Sequence, residues 1–303
     1  MPRAALYDST GEPDVLYVGS VPDAAPGAGE VVLRVRAAGL NPFDVKLLSG
    51  FIPSDASFPR RIASDLAGTV SAVGEGAVYW DGTAVAVGDE VLGRASGAAA
   101  EVAVAAASDL ARRPSDLDVK VAGGLHVAGL TAVSVLTTVP VREGDTVLVG
   151  GAAGAVGFIA AQLAVEAGAR VIGTASGRNH ELLRSVGVEP VAYGEGLVSR
   201  LTDAGVTTVY DCHGRDALDA GVALGVPVDR MVAIAAYAAI DELGVLNVER
   251  SARTAQNLAA LAERVASGSL HLPIAATFAL DDITAAFREL TSAHAAGKII
   301  VTP

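Results

Sequence analysis

The chain has 303 residues, of which 51% are hydrophobic, and its formal net charge at pH 7 is −12. This length predicts two domains. A negative net charge without a cluster of Lys and Arg argues against a nucleic-acid partner. Cys212 is the single cysteine, which excludes an internal disulfide and a zinc site built from cysteines.

The apolar stretches are interrupted by Gly, Thr or charged residues before the roughly 18 residues that a spanning helix needs. The residues that follow Met1 contain no apolar signal region. We therefore expect no membrane segment, no membrane partner and a cytoplasmic protein.

The N-terminal part has the pattern of a β-rich domain. Alternating or β-branched apolar residues bounded by glycine predict short strands at residues 30–36, 68–74 and 89–93. Prolines punctuate the loops between them. From about residue 115 the pattern changes, and the apolar stretch at residues 117–139 predicts a helix.

Strand-like and helical segments alternate in the following part. Predicted strands lie at residues 146–150, 170–175, 189–192, 207–212 and 230–235, with helical segments such as 179–186 between them. This alternation is typical of an α/β fold with a doubly wound parallel sheet. The last part predicts a helix at residues 251–267, a strand at 275–280, a helix from 281 to about 294 and a strand at 298–301.

A glycine-rich turn follows the first of these strands. The spacing is Gly151-x-x-Gly154-x-x-Gly157, with Ala152 where the usual dinucleotide motif has its second glycine. A strand, tight turn and helix start of this kind can bring main-chain N–H groups to a diphosphate. The alternative is an α/β turn that holds no ligand. The residues predicted to bind the dinucleotide here are Gly151, Ala152, Ala153, Gly154, Ala155, Val156 and Gly157.

The end of the second strand of this fold indicates which dinucleotide is bound. An NAD site usually has Asp or Glu there to accept hydrogen bonds from ribose hydroxyls, but no carboxylate occurs between Thr174 and Glu181. Ser176 can donate to a phosphate oxygen, and Arg178 can pair with a 2′-phosphate. The sequence therefore favours NADP. The alternative is that Arg178 is a solvated residue in the first turn of the next helix.

Several motifs, in order along the chain, resemble those of one family. They are AGLNPFDVK at residues 38–46, DLAGTV at 65–70, VGDEV at 87–91, AGLTA at 128–132, the glycine-rich turn, YD at 210–211 and GKII at 297–300. In these motifs the chain is similar to the medium-chain dehydrogenases/reductases of the zinc-independent, quinone oxidoreductase-like branch.

The resemblance implies a fold and an activity. A GroES-like β-rich catalytic domain would be built from both chain ends, residues 1–118 and 269–303, and a Rossmann NADP-binding domain would occupy residues 119–268. The active site would lie in the cleft between them. The resemblance further implies hydride transfer from NADPH to a small-molecule substrate, a quinone or an α,β-unsaturated carbonyl, by a homodimer.

The resemblance also argues against a metal. The zinc-dependent branch has a cysteine where Asn41 stands and a His-Glu pair where Ser64 and Asp65 stand. We therefore expect no metal site, and hydrogen-bond donors must stabilise the carbonyl oxygen instead. The histidines contain no H-E-x-x-H motif and no close pair; they are His126, His180, His213, His271 and His294.

The resemblance assigns catalytic roles to single residues. It places Asn41 beside the nicotinamide and Thr131 near the carboxamide. The residues alone also allow a turn-former at Asn41 and a hydroxyl bonded to its own helix at Thr131. Asp44 would pair locally with Lys46 or contact the substrate. The predicted catalytic residues are Asn41, Thr131, Asp44 and Tyr237, the last at the end of the fifth strand of the parallel sheet.

Further residues are predicted to bind the cofactor. The family counterpart of Tyr193 reaches the 2′-phosphate, and the alternative is a packed aromatic. Lys298 matches a position at the cofactor's outer edge, and the alternative is a solvated lysine. Besides the turn, the predicted cofactor-binding residues are Asn41, Thr131, Thr174, Ser176, Arg178, Tyr193, Cys212, His213, Ala235 and Lys298.

Two other functions fit the sequence. One is a zinc-free oxidoreductase of simple alcohols or aldehydes, which is disfavoured because an isolated carbonyl needs stronger polarisation than Asn41 offers. The other is an NADP-binding protein that has lost catalysis. The substrate stays open, since His126 stands where relatives usually have proline and Val133 where a large aromatic is frequent.

Overall fold

The computed structural model describes residues 1–292 and 296–303, and the chain divides into two compact units. Unit 1 comprises residues 1–127 and 254–303, and unit 2 comprises residues 128–253.

The strands are, in chain order, β1 (Arg3–Tyr7), β2 (Tyr17–Ser20), β3 (Glu30–Leu40), β4 (Arg60–Arg61), β5 (Asp65–Val73), β6 (Glu90–Arg94), β7 (Val102–Ala106), β8 (Ala111–Arg112), β9 (Thr146–Gly150), β10 (Arg170–Thr174), β11 (Glu189–Val191), β12 (Thr208–Asp211), β13 (Met231–Ala233), β14 (Leu246–Asn247), β15 (Ile274–Ala279) and β16 (Lys298–Thr302). The helices are α1 (Pro42–Leu48), α2 (Val119–Thr138), α3 (Ala155–Glu166), α4 (His180–Arg184), α5 (Leu197–Leu201), α6 (Asp216–Ala223), α7 (Tyr237–Leu243), α8 (Ala255–Ala266) and α9 (Ile283–Thr291).

Unit 1 is built around a mixed sheet in the strand order β15-β16-β3-β5-β6-β8, with β7 also paired to β3. The C-terminal strand β16 runs antiparallel to β3, with Ile300 opposite Gly39, and β15 runs parallel to β16. A smaller sheet has the order β2-β1-β4. Both chain ends therefore contribute to one β-rich unit, which confirms the predicted fold class for this part of the chain.

Strand β3 leads directly into the first helix. Residues 31–33 are buried, Val35 is buried between the exposed Arg34 and Arg36, and residues 37–40 are all buried. The start of α2 covers this end of the strand so closely that a Cβ at Gly39 would lie 2.7 Å from the carbonyl oxygen of Gly123. The strand thus delivers Asn41, the residue that precedes α1, to a buried position.

Unit 2 contains a sheet in the order β11-β10-β9-β12-β13-β14, and its neighbouring strands are parallel. Strand β9 lies inside the sheet and all its residues are buried, which explains its continuous apolar sequence. The chain runs outward from β9 on one side through β10 and β11 and on the other through β12, β13 and β14. This is the doubly wound order, so the predicted α/β fold is confirmed.

Several element ends differ from the predictions. Strand β13 ends at residue 233 rather than 235, and α4 covers only His180–Arg184 of the predicted residues 179–186. Helix α8 begins at Ala255 rather than near residue 251, because the hydroxyl of Thr254 caps it by accepting the N–H of Asn257 at 3.2 Å. The predicted end of the last helix, near residue 294, lies outside the described residues.

The units divide the chain at other positions than the predicted domains, whose borders are residues 118/119 and 268/269. Unit 1 includes the start of α2, because this segment packs tightly on β3: a Cβ at Gly123 would lie 2.7 Å from the Cβ of Ala37. Unit 1 also includes α8, which packs on β8.

Helix α2 is long and apolar enough to cross a membrane by length and composition, and it is the one such helix in residues 1–292 and 296–303. We expected Gly and Thr residues to interrupt the apolar stretches. In this helix, however, the mean hydropathy is still 1.6. Of the most apolar 18-residue window of this helix, 61% is buried inside the protein. A core helix of a soluble protein meets the same criterion.

Candidate functional site

Two glycines make the turn between β9 and α3 possible. Gly151 has φ +67°, in the left-handed region, and a Cβ there would lie 2.4 Å from the Cβ of His213. A Cβ at Gly157 would lie 2.4 Å from the carbonyl oxygen of Gly151. Ala152 fits in place of the usual second glycine because Gly173 stands opposite, where a Cβ would come within 2.6 Å of the Ala152 methyl. The start of the helix therefore packs against the turn as closely as a dinucleotide-binding motif requires.

The N–H groups of this turn fall into two sets. Gly151 and Ala152 donate to Thr174, to its Oγ1 at 2.9 Å and its carbonyl oxygen at 3.0 Å, and Gly154 donates to the carbonyl oxygen of Gly151 at 3.0 Å. Gly151, Ala152 and Gly154 therefore use their N–H groups within the protein rather than for a diphosphate. Thr174 holds the turn in place. Within the described residues, the N–H groups without a hydrogen bond are those of Ala153, Ala155, Val156 and Gly157.

The loop after β10 carries the residues predicted to select NADP. Ser176 is half-buried, and its hydroxyl accepts a hydrogen bond from the side chain of Asn179 at 3.3 Å. Arg178 is exposed. The loop therefore presents a hydroxyl and a guanidinium but no carboxylate before Glu181.

A buried carboxylate that the sequence analysis did not single out organises the neighbouring loops. Asp211 ends β12, and its Oδ1 accepts the N–H groups of His213 at 2.9 Å and Gly214 at 2.7 Å. Its Oδ2 accepts those of Ala235 at 3.2 Å and Ala236 at 2.9 Å. One side chain thus fixes the loops after β12 and β13, which hold three predicted cofactor residues, Cys212, His213 and Ala235. Its only signal in the sequence was membership of the motif at residues 210–211.

The remaining predicted residues of unit 2 differ in exposure. Burial, with the neighbouring Asp211, raises the pKa of the Cys212 thiol, so this thiol stays protonated at neutral pH. Tyr193 is 54% exposed, which contradicts the alternative of a packed aromatic. Tyr237 is also exposed and begins α7, so the prediction that it ends a strand is wrong. The reason is that β13 stops at Ala233.

Thr131 differs from the other hydroxyl-bearing residues of α2. Ser134, Thr137 and Thr138 each donate to the carbonyl oxygen four residues earlier, at 2.7, 2.9 and 2.8 Å. Thr131 is buried, and its hydroxyl makes no hydrogen bond within the described part of the chain. This arrangement argues against the alternative of a hydroxyl bonded to its own helix and leaves the Thr131 hydroxyl able to bind a ligand.

Unit 1 contains a buried group of charged and polar side chains around the end of β3, which we call the charge cluster: Asn41, Asp44, Asp65 and Lys298. The Nζ of Lys298 donates to Asp65 Oδ2 at 2.8 Å and to Asn41 Oδ1 at 2.5 Å. The side chains of Lys298 and Asp65 are 2% and 0% exposed. The alternative of a solvated Lys298 is therefore wrong, because the pairing of β16 with β3 carries this side chain into the interior.

Asp44 is the second carboxylate of the charge cluster. It lies in the first turn of α1 and its Oδ2 accepts the main-chain N–H of Asn41 at 2.8 Å, which fixes the start of the helix. Burial raises the pKa of Asp44 to about 7, and the negative charge of Asp65 adds to this effect, against the hydrogen bond from Asn41 and the positive charge of Lys298. This carboxyl can therefore hold a proton at neutral pH.

His126 lies close enough to the charge cluster for the charges of Asp65 and Lys298 to act on it. The N–H of the following residue, Val127, donates to Asp65 Oδ1 at 3.3 Å. Burial lowers the pKa of His126, and its Nδ1 is buried without a hydrogen-bond partner in residues 1–292 and 296–303. The imidazole is therefore neutral at neutral pH.

The described residues bring together no three His, Cys, Asp or Glu side chains that could hold a metal ion. His294 lies outside the described residues. At two of the positions where the zinc-dependent branch has metal ligands, the oxygens of Asn41 and Asp65 accept hydrogen bonds from the ammonium of Lys298.

Comparison with known proteins places this geometry in a family. An alcohol dehydrogenase GroES-like domain model matches residues 27–115, and a zinc-binding dehydrogenase model matches residues 187–301. The chain is 33% identical, over 91% of its length, to a pikromycin polyketide synthase component of Streptomyces venezuelae, of which it spans 8%.

Two quinone oxidoreductases match the whole chain. The protein of Pseudomonas aeruginosa is 30% identical over 100% of both chains. The structure of the Escherichia coli quinone oxidoreductase complexed with NADPH has a TM-score of 0.85 and 26% identity, and the match covers 99% of this chain and 100% of that chain. The chain therefore belongs to the medium-chain dehydrogenase/reductase superfamily, as a quinone oxidoreductase-like protein.

Proposed function

We propose that the protein is an NADPH-dependent oxidoreductase that transfers a hydride to a quinone or an α,β-unsaturated carbonyl without zinc. The observation that carries this proposal is the set of four main-chain N–H groups near the start of α3 that have no partner among the described residues. Donors at a helix N-terminus bind phosphate groups, and the helix dipole favours negative charge there. The NADPH complex of the similar Escherichia coli enzyme supports the proposal.

The preference for NADPH over NADH rests on the loop after β10. Arg178 is exposed there, and its planar fork can bind the 2′-phosphate through two parallel hydrogen bonds. An NAD site would need a carboxylate to bind the two ribose hydroxyls. Such a carboxylate would instead repel a 2′-phosphate, so its absence before Glu181 favours NADP.

The donor set of unit 1 does not suit zinc. Asn41 Oδ1 and Asp65 Oδ2 both accept hydrogen bonds from the ammonium of Lys298, and this positive charge would repel a divalent cation at the same oxygens. Zinc sites are built from thiolate, imidazole and carboxylate ligands, and an amide oxygen is a poor substitute. We therefore propose chemistry without a metal, although one matching family model carries a zinc-binding description.

We assign the following roles in the proposed hydride transfer. When bound, NADPH supplies the hydride. We assign to Asn41 the donation of a hydrogen bond to the acceptor's carbonyl oxygen, on which negative charge develops. We assign to the Thr131 hydroxyl a hydrogen bond to the nicotinamide carboxamide. Asp44, with its pKa of about 7, can hold a proton at neutral pH while it fixes the main chain of Asn41.

Because this scheme uses no metal, it favours some classes of hydride acceptor over others. A single amide donor stabilises a developing oxyanion less than a Lewis acid does. In a quinone or an enone the charge spreads over the conjugated system, so less stabilisation at the oxygen is needed. An isolated aldehyde lacks this spreading, which makes it the poorer substrate.

Turnover of three acceptors tests the proposal. The purified full chain is mixed with NADPH or NADH, and the absorbance of the reduced nicotinamide is followed with a benzoquinone, an enone and an aliphatic aldehyde. We expect NADPH oxidation with the quinone or the enone to be at least about tenfold faster than with the aldehyde. Turnover of the aldehyde alone would support an alcohol or aldehyde oxidoreductase. NADPH binding without turnover of any acceptor would support a catalytically silent NADP-binding protein.

The proposed assembly and surroundings are those of the sequence analysis: a homodimer in the cytoplasm, without nucleic-acid or membrane partners. Sedimentation equilibrium would measure the mass of the particle in solution. Flotation with lipid vesicles would test whether α2 or any other segment binds a membrane.

A further inference from the structure

The ammonium of Lys298 is held in one place by the protein interior. It lies between Asp65 Oδ2 and Asn41 Oδ1, at 2.8 and 2.5 Å, and its side chain is 2% exposed. A buried ammonium is stable only when it is paired and hydrogen-bonded. Asp65 provides the countercharge, and its other oxygen is anchored by the N–H of Val127 at 3.3 Å.

Two glycines form the channel for the stem of Lys298. A Cβ at Gly39 would lie 2.7 Å from the Cε of Lys298, and a Cβ at Gly124 would lie 2.7 Å from its Cγ. The side chain is thus packed against β3 on one side and the start of α2 on another. This packing leaves the ammonium little freedom to leave Asn41.

The contact with Lys298 fixes the orientation of the Asn41 amide. An ammonium has only donors, whereas an amide has an acceptor end and a donor end. The Oδ1 must therefore face Lys298, because the flipped amide would set NH₂ against NH₃⁺. The Nδ2 then points away from the ammonium and lies 3.5 Å from the carbonyl oxygen of Gly39, the limit of a hydrogen bond, while the Asn41 side chain also interacts with the carboxyl of Asp44.

The main chain of Asn41 is fixed as well. Its N–H donates to Asp44 Oδ2 at 2.8 Å, and its carbonyl oxygen accepts the N–H of Asp44 at 2.9 Å. The backbone is thus held by one charged residue and the side chain by another. A hydrogen bond from a charged donor to Oδ1 also polarises the amide and makes its N–H a stronger donor.

We propose that Lys298 is a positioning residue: anchored on Asp65, it holds the Asn41 amide by its Oδ1, so that the donor Nδ2 is the end of the amide left for the carbonyl oxygen of the acceptor. This inference rests on the proposed reductase function. It also deepens that function, because an Asn41 that offers a donor suits the carbonyl oxygen of an acceptor, whereas oxidation of an alcohol also needs a group that accepts the hydroxyl proton. Quinones and enones carry such a carbonyl oxygen.

The test compares two buried ion pairs. The double variant Lys298→Met/Asp65→Asn removes the positioning pair without stranding a charge. The matched control is Arg230→Met/Asp145→Asn, which removes a pair in unit 2 of similar burial, with 7% and 8% exposure and a contact of 2.5 Å. Stability, kcat with an enone or quinone, and the KM for NADPH are measured for both.

We expect the Lys298→Met/Asp65→Asn variant to lose at least about tenfold in kcat, with the KM for NADPH changed by less than about threefold, because the donor to the developing oxyanion is misplaced. The control should lose stability and keep kcat within about twofold. In an Asn41→Ala background the Lys298 pair should have no further effect on kcat, since Lys298 acts through Asn41.

A spectroscopic readout accompanies the kinetics. The chain has four asparagines, so selective ¹⁵N labelling gives four side-chain amide signals, and the one missing in Asn41→Ala belongs to Asn41. This signal should shift in the Lys298→Met/Asp65→Asn variant and stay unchanged in the Arg230→Met/Asp145→Asn control.

Each result decides the inference. A Lys298→Met/Asp65→Asn variant with wild-type kcat, or an additive kcat loss in the Asn41→Ala background, overturns it and leaves the proposed function standing. A wild-type protein that reduces neither quinone nor enone overturns the proposed function and this role with it. If the double variant does not fold, Lys298→Gln/Asp65→Asn, which keeps an amide donor at position 298, replaces it; an unshifted Asn41 signal with a large kcat loss would then count against the inference.

Discussion

The glycine-rich turn of unit 2 and the charge cluster of unit 1 differ in the groups that they offer to a ligand and in how these groups are held. The turn supplies main-chain N–H groups from consecutive residues, and four of them have no partner within the described residues. The charge cluster supplies side chains from distant segments, and its charges are already paired with each other. The turn can therefore bind an anion with little rearrangement, whereas the cluster controls the direction of one amide.

The two regions also differ in what they contribute to stability. Close packing of glycines makes the turn compact without burying a charge. The cluster buries an ion pair and a second carboxyl. Removing one partner of a buried ion pair lowers the free energy of unfolding by about 3–5 kcal/mol. Because a buried ion pair adds little net stability over an apolar packing, we propose that the cluster serves to fix geometry.

The largest effect should come from the second carboxyl of the cluster, through pH. The pKa of Asp44 is about 7 in the folded protein, raised from 3.8, so between these values the folded state keeps a proton that the unfolded chain has lost. The free energy of unfolding should therefore fall as the pH rises through this window, and Asp44 should contribute about 2 kcal/mol of this fall between about pH 5 and pH 7.5.

Urea unfolding of the wild type and of Asp44→Asn over this pH range measures the contribution. Other carboxyl groups affect both proteins equally, so the difference between them isolates Asp44. The wild type should lose stability relative to the variant as the pH rises. A difference that does not vary with pH, or that moves in the opposite direction, would show that Asp44 is not the buried, proton-holding carboxyl of the cluster.

A smaller effect should come from the loop beside the turn. Arg178→Ala should weaken NADPH binding about tenfold and NADH binding less than about twofold, because only NADPH carries the 2′-phosphate that the guanidinium would bind. Arg184→Ala is the matched control, since Arg184 is an exposed arginine of the following helix that pairs with Glu181. Fluorescence titration with both nucleotides gives the ratios. An equal loss for NADPH and NADH would remove the 2′-phosphate assignment.

The turn could be predicted from the sequence because its information is local. The spacing of Gly151, Gly154 and Gly157 between a buried strand and an apolar helix is visible in consecutive residues. What could not be predicted is which N–H groups are already used, since the partner Thr174 belongs to the next strand. The same holds for Asp211, whose four N–H contacts connect two loops that are separate in sequence.

The charge cluster could not be predicted, because it joins positions that are far apart in the chain. Lys298 and Asn41 are 257 residues apart, and only the pairing of β16 with β3 brings them together. A lone lysine near a chain end gives no signal of burial, since lysine is rarely buried without a partner. The resemblance pointed to Asn41, but the residue that orients it depends on the tertiary structure.

Calorimetric titration of NADPH tests most directly the central claim that the turn binds a dinucleotide. The wild type should bind NADPH, and Gly157→Ala should bind at least about tenfold more weakly, because its Cβ would lie 2.4 Å from the carbonyl oxygen of Gly151 and force the turn open. Gly154→Ala is the matched control: its Cβ would lie 3.3 Å from the same oxygen, and the loss should be smaller. A folded wild-type protein that binds neither NADPH nor NADH would contradict the account.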